Sequence, residues 1–146
     1  MRIEALALKN SSMDKRTAAR ELCMQALFQL DVQGDELLPR LTAEFFRENS
    51  RDDFVRSLAY QWCKGAWENR GECDELIGAA IIRWEFSRLS PVDKSILRLA
   101  VYQLKYCGDI PPKVVINEAI EMAKKYSTDK SPGFVNGVLD AVLKRI

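Results

Sequence analysis

Between Ser90 and Gly108 the chain reads SPVDKSILRLAVYQLKYCG, and no other stretch restricts the fold as much. Val92, Ile96, Ala100 and Leu104 recur on one face of a helix, and Leu97, Leu99 and Val101 widen that face. A helix apolar over so much of its circumference has to lie in the middle of other elements. Its ends are also marked: Ser90 as N-cap, Pro91 at the first helical position, Asp93 as the capping-box carboxylate, and Gly108 as the stop.

The rest of the chain supplies partners of the same periodicity. Over 15–31, Ala19, Leu22, Cys23, Ala26, Leu27 and Leu30 fall at three- and four-residue spacings, which predicts a helix capped by Asp14 and ended near Gly34. A helix over 36–49 carries Leu37, Leu38, Leu41, Phe45 and Phe46, with Pro39 early enough for a first turn. Over 52–69, Phe54, Val55, Leu58, Ala59, Trp62, Cys63, Ala66 and Trp67 make a broad stripe, and Gly71 reads as its stop. Residues 73–86 add Leu76, Ile77, Ala80, Ile81 and Trp84. Pro111 and Pro112 open a helix to about Tyr126, and Ser131 with Pro132 opens the last. Neither strand-like alternation nor an internal repeat competes. The expectation is an all-α fold of about seven helices in one domain over 14–146. Its two small helical-bundle subdomains, about 14–70 and 72–146, are each too small to fold alone. Residues 1–13 read as an N-terminal tail, with Met13 as an alternative start.

Composition removes whole classes of chemistry. None of the 146 residues is histidine, and Cys23, Cys63, Cys73 and Cys107 form no Cys-x-x-Cys pair. Zinc fingers, histidine general bases and Cys-His or Ser-His nucleophilic pairs are therefore excluded, and the cysteines read as buried thiols of a reducing cytoplasm. The longest uncharged apolar run, LIGAAII, is too short to span a bilayer. Glu118 and Glu121 share a helical face without a histidine to complete a metal site, and read as solvated charges. No phosphate loop, nucleophile elbow or cofactor fingerprint is present, so the reading is a non-enzymatic protein with no cofactor and no metal.

With 22 basic against 21 acidic residues, an anionic ligand needs a local patch. Lys15, Arg16 and Arg20 cluster beside a polar edge that also carries Gln25 and Phe28. Guanidinium groups at i and i+4 can meet adjacent phosphates, and an exposed ring can stack on an unpaired base. The same residues also fit an ordinary solvated helix face with Phe28 in the core. Lys124, Lys125 and Lys130 form a second basic cluster near the last turn. The tryptophans at 62, 67 and 84 fall on apolar stripes and read as core. Asn117 and Asn136 sit within apolar helical runs, where an unpaired buried amide would cost about 1–3 kcal/mol. They read as a hydrogen-bonded link fixing the register of the last two helices, with ligand contact the alternative.

Four segments, KRTAARELCMQALFQLD, RLSPVDKSILRLAVYQL, DIPPKVVINEAIEMAKKYS and FVNGVLD, closely resemble the NusB family of bacterial transcription antitermination proteins, in order and over about 14–143. The resemblance implies two helical subdomains. It also implies binding of the boxA element of ribosomal RNA leader transcripts together with ribosomal protein NusE. That assembly, with the other Nus factors, lets RNA polymerase read through terminators of ribosomal RNA operons. The resemblance places Lys15, Arg16 and Arg20 in the RNA-contacting start of the first helix, and Phe28 where the family often has a base-stacking tyrosine. It places Lys94, Lys130 and Phe134 near the RNA, and Asp93 near NusE.

The chain departs from the family pattern in two places. Family members often carry three arginines in a run before the ARE triplet, whereas KRTAARE keeps only Lys15, Arg16 and Arg20. Each lost phosphate contact flattens the salt dependence by roughly one unit of slope at most, so weaker RNA binding by the protein alone is expected. Lys130 stands in a turn that can be acidic in the family, and restores part of the attraction. Some RNA cytosine methyltransferases carry a similar helical domain, but 146 residues leave no room for the catalytic part. A protein-interaction module that has lost its RNA affinity is the other rival.

Overall fold

The computed structural model describes residues 12–81 and 89–146, and the described residues are helical throughout apart from short turns. Seven helical segments follow one another among them: α1 Ser12–Gln33, α2 over 35–49, α3 Asp53–Glu68, α4 Arg70–Ala80, α5 Pro91–Tyr106, α6 Pro112–Tyr126 and α7 Ser131–Leu143. The chain divides into two compact units, Met1–Gly65 and Ala66–Ile146. The division falls inside α3, ahead of the Gly71 break at which the sequence placed the limit.

In the first unit, α1 buries Ala18, Ala19, Leu22, Cys23, Ala26, Leu27 and Leu30 almost completely. It begins at Ser12, so Asp14 lies inside the helix rather than capping it. It ends at Gly34, whose φ of 88° is the left-handed conformation that glycine adopts without strain, and whose N–H donates to the Leu30 carbonyl at 2.7 Å. The second segment is irregular: a 3₁₀ turn Asp35–Leu37, an α turn Leu38–Arg40 holding Pro39, a wide π turn Leu41–Phe46 and a last α turn Arg47–Asn49. Leu41 and Phe46 are buried, and Phe46 meets Tyr60 of α3 edge to face with ring centroids 6.3 Å apart.

In the second unit, α5 packs against α4, α6 and α7. Ile96, Leu97, Leu99, Ala100 and Val101 are all within 2% of full burial, as its sequence requires of a central helix. Trp67, also buried, is covered by two guanidinium groups, Arg70 at 4.0 Å and Arg98 at 5.9 Å from the ring centre. Arg98 in turn forms a fork of two 2.8 Å hydrogen bonds with Asp74. Trp62 is core in the first unit, while Trp84 lies outside the described residues. The break between α3 and α4 comes at Asn69, with Gly71 already inside α4. Burial of Cys73 pushes its thiol up to about 12, as expected of an inert structural cysteine.

The asparagines correct the sequence reading. Asn117 and Asn136 are both exposed, so water satisfies their amides and no buried link joins α6 to α7. The buried side of α6 is Val115, Ala119, Met122 and Ala123. Asn117 lies roughly 200° around the helix from Val115. On α7 the buried apolar residues are Val135, Val138, Leu139 and Val142, and Asn136 turns away from them.

Candidate nucleic-acid interface

Two groups of polar residues stand out, one in each unit. In the second unit, the start of α5 meets the turn between α6 and α7. Ser90 caps α5 by accepting the Asp93 N–H at 3.1 Å, as its sequence predicts. The Asp93 carboxylate goes elsewhere than a capping box would send it. It accepts the Ser127 hydroxyl on one oxygen at 2.7 Å and the Ser131 hydroxyl on the other at 3.0 Å. Ser127 and Ser131 lie 2.7 Å apart, and Thr128 reaches Ser131 at 3.1 Å. With both serine protons on the carboxylate, Thr128 is the donor to Ser131. One buried carboxylate therefore ties the N-terminus of α5 to the turn that starts α7. Asp93 keeps only 9% of its surface, which leaves little of it for a contact with NusE, near which the resemblance places it.

Over this network lies a pocket of about 350 Å³ lined by Leu89, Ser90, Asp93, Thr128, Lys130, Ser131 and Phe134. Lys130, exposed at the N-cap of α7, supplies its positive charge. Phe134, one turn on, supplies a half-buried ring, and Ser90 and Thr128 supply hydroxyls. A ring face, one cation, the Ser90 hydroxyl as donor and the Thr128 oxygen as acceptor suit a flat polar ring bearing an anionic group. Asp93, Lys130 and Phe134 are brought together here. Lys94 is partly exposed on the first turn of α5, outside the pocket lining.

In the first unit, the start of α1 meets the start of α3. Asp52 caps α3 by accepting the Val55 N–H at 3.0 Å, and its other oxygen pairs with Lys15 at 2.9 Å. The Lys15 hydrogen bond, with the Val55 N–H behind it, holds the Asp52 carboxyl below the ordinary aspartate range. Arg16 is exposed and its guanidinium lies 5.5 Å from the ring centre of Phe54. Arg20 corrects the sequence reading. It is only 3% exposed and stacks over Trp62 at 5.0 Å, so Arg16 and Arg20 do not form an open pair of phosphate-facing cations. From Ala18 to Met24 every residue of α1 is buried, and an i, i+4 partner of an exposed residue falls inside that zone. Phe28 is half-buried on the same helix.

The sequence reading missed Ser127, Thr128, Asp52 and Phe54. The three hydroxyls of STDKS did carry a signal, since Ser127 and Ser131 at i and i+4 can reach one acceptor together. Nothing local marked Asp52 or Phe54 as partners of Lys15 and Arg16. Among the described residues no cluster of acidic or cysteine side chains could hold a metal ion, and no helix is long and apolar enough to cross a membrane. Lys124 of the second basic cluster pairs with Glu121 at 2.9 Å on the exposed side of α6.

Comparison with known proteins bears on the family and the fold. The family model described as the NusB family matches residues 17–144. A transcription antitermination protein NusB of Syntrophus aciditrophicus is 40% identical over 134 residues, covering 92% of this chain and 83% of that protein. One from Bacillus cereus is 43% identical over 130 residues, covering 88% and 96%. Among solved structures, NusB of T. maritima superposes with a TM-score of 0.80 at 40% identity, covering 88% of this chain and 90% of that one. A structure of antitermination factors NusB and NusE in complex with double-stranded RNA superposes with a TM-score of 0.79 at 27% identity, covering 92% and 99%.

Proposed function

The chain belongs to the NusB family, and from that premise we propose that it is a non-enzymatic, RNA-binding antitermination factor of the cytoplasm. In this reading it binds the boxA element of ribosomal RNA leader transcripts together with NusE. The assembly then joins the other Nus factors on RNA polymerase and promotes read-through. The observation that carries the reading is the pocket of the second unit, where Phe134 and Lys130 stand over a turn fixed by Asp93. An unpaired base against Phe134 with its phosphate toward Lys130 uses the ring and the cation of the pocket. In the first unit, the exposed Arg16 and the half-buried Lys15, which would first leave Asp52, are the cations of α1 that meet phosphates, and Phe28 offers part of a ring. Arg20 acts from behind, adding positive potential and fixing α1 against Trp62. Asp93 influences NusE by holding the α6–α7 turn in place rather than by pairing with a partner cation.

Fluorescence anisotropy of a labelled boxA RNA, with and without NusE and at two salt concentrations, tests the proposal. Salt-sensitive binding, strengthened by NusE and weakened by Lys130→Ala and Phe134→Ala, is the expected result. One observation favours a rival: Arg20 is buried and Lys15 is already paired, so few exposed cations remain on α1. Undetectable RNA binding with NusE bound would replace the proposal by that rival, a protein-interaction module.

A further inference from the structure

The hydroxyls around the Phe134 pocket are not interchangeable, because a buried charge sorts them into donors and acceptors. The Asp93 carboxylate takes the Ser127 hydroxyl at 2.7 Å and the Ser131 hydroxyl at 3.0 Å. A carboxylate accepts only, and a hydrogen bond to it is roughly twice as strong as one between neutral groups. Ser131 therefore directs its one proton inward. Thr128 lies 3.1 Å from the Ser131 oxygen and supplies the proton of that contact, so it shows only lone pairs to the pocket it lines. Ser90 keeps more freedom: its oxygen takes the Asp93 N–H at 3.1 Å, and its proton and a second lone pair both remain. Asp93 and Ser131 are buried while Thr128 and Ser90 are exposed, so a polarity set in the interior is displayed at the surface.

We propose that Thr128 is a base-reading residue, the acceptor for an N–H on the edge of the unpaired base that lies against Phe134, and that Asp93 and Ser131 are the positioning residues that make it one. This role rests on the RNA-binding reading and adds to it a preference between base edges. The ring and the cation of the pocket supply none, since every base has a π-face and a lysine meets phosphate as a point charge. Ser90, able to donate or accept, adapts to either edge. Thr128 cannot: a base that turns an acceptor toward it sets lone pair against lone pair, and the water each had bonded is displaced without replacement. Thr128 is open to solvent, which keeps the discrimination modest.

The test uses the full chain with NusE bound and boxA RNAs altered at one position at a time, read as Kd. An abasic scan first finds the position whose base matters to the unsubstituted chain and not to Phe134→Ala. At that position the donors and acceptors of the base are exchanged on the same frame: cytidine for uridine or the reverse, inosine for adenosine, 2,6-diaminopurine for guanine. The exchange is expected to raise Kd about three- to tenfold. With Thr128→Val, which keeps the shape and removes the oxygen, the two RNAs should bind alike. With Ser131→Ala the Thr128 hydroxyl stays but its proton is released, and the ratio of the two Kd values should fall at least about twofold. A partly unfolded fraction raises both Kd values by one factor and cancels in their ratio. If the exchange leaves Kd unchanged or lowers it, or if its penalty survives in Thr128→Val, Thr128 does not read the base and the RNA reading stands. If Thr128→Val removes the penalty and Ser131→Ala keeps it whole, the positioning role of Asp93 and Ser131 is wrong. If no position depends on Phe134, the ring holds no base and Thr128 has none to read. If the unsubstituted chain binds no RNA with NusE present, the RNA reading falls as well.

Discussion

The start of α1 and the start of α5 both carry charged residues that the sequence offers as ligand contacts, yet the two regions use charge in opposite ways. At the start of α5 the acid is buried, and both its oxygens are consumed by hydroxyls of the chain itself. At the start of α1 the charges stay at the surface, joined by one ion pair and one cation–ring contact. A buried hydrogen-bonded carboxylate is worth far more to stability than a screened surface pair. Substitutions in the second unit should therefore act on folding first, and those in the first unit on binding first.

The largest effect expected from that contrast is at Asp93. Asp93→Ala takes the shared acceptor from the half-buried Ser127 and the buried Ser131 and leaves them only each other and Thr128, and urea unfolding should show a loss of about 2 kcal/mol. Asp93→Asn keeps one oxygen acceptor and should lose less, though still measurably. A melting temperature unchanged in Asp93→Asn, with NusE affinity reduced, would restore the partner contact and erase the contrast. Ser131→Ala comes next, at about 1 kcal/mol, because one donor to the carboxylate goes and Thr128 loses its acceptor. Ser90→Ala, which removes only the cap, should cost a similar amount and provides the comparison.

The fold was legible where the rules are local. Ser90, Pro91 and Gly34 act through their own turns, and α5 shows its central place in its own circumference. Asn117 and Asn136 were misread because adjacency in sequence was taken for adjacency on a face, although a single residue step turns the side chain by about 100°. Gly71 was misread because a glycine in the first turn of a helix looks like one after the last. The site was less legible for a different reason. Whether Arg20 is open, or what Asp93 accepts, depends on residues over 30 positions away or on another helix, and no local pattern encodes that. Trp62 decides the first, and Ser127 and Ser131 the second.

In the first unit, Arg16→Ala should leave the unfolding free energy within about 0.5 kcal/mol of unchanged, as surface substitutions do. In the RNA titration it should flatten the salt dependence by about one unit. Arg20→Ala should do the reverse, lowering stability through lost packing on Trp62 while changing the slope less. An equal slope change in the two variants would show that Arg20 reaches phosphate after all.

The smallest effect is at Asp52, and it probes whether the surface pair restrains a cation that RNA would otherwise use. Asp52→Asn preserves the cap on α3, since asparagine caps about as well as aspartate, and removes only the charge facing Lys15. Lys15 is then released, so RNA affinity should rise slightly and the salt slope steepen by a fraction of a unit. The stability change should stay below about 1 kcal/mol because the pair is partly exposed. Its pH dependence has a definite sign. The folded-state pKa of Asp52 is depressed by Lys15 and by the Val55 N–H. The stabilisation is therefore complete above the unfolded value of about 3.9 and fades as pH falls through the lowered folded value. The difference between the unsubstituted chain and Asp52→Asn should be flat from neutral pH down to about 4 and shrink only below it. A difference that instead shrank with rising pH would assign the effect to a group other than Asp52. RNA affinity unaffected by the substitution would mean that Lys15 meets phosphate without leaving Asp52, and α1 would then present Lys15 and Arg16 at once.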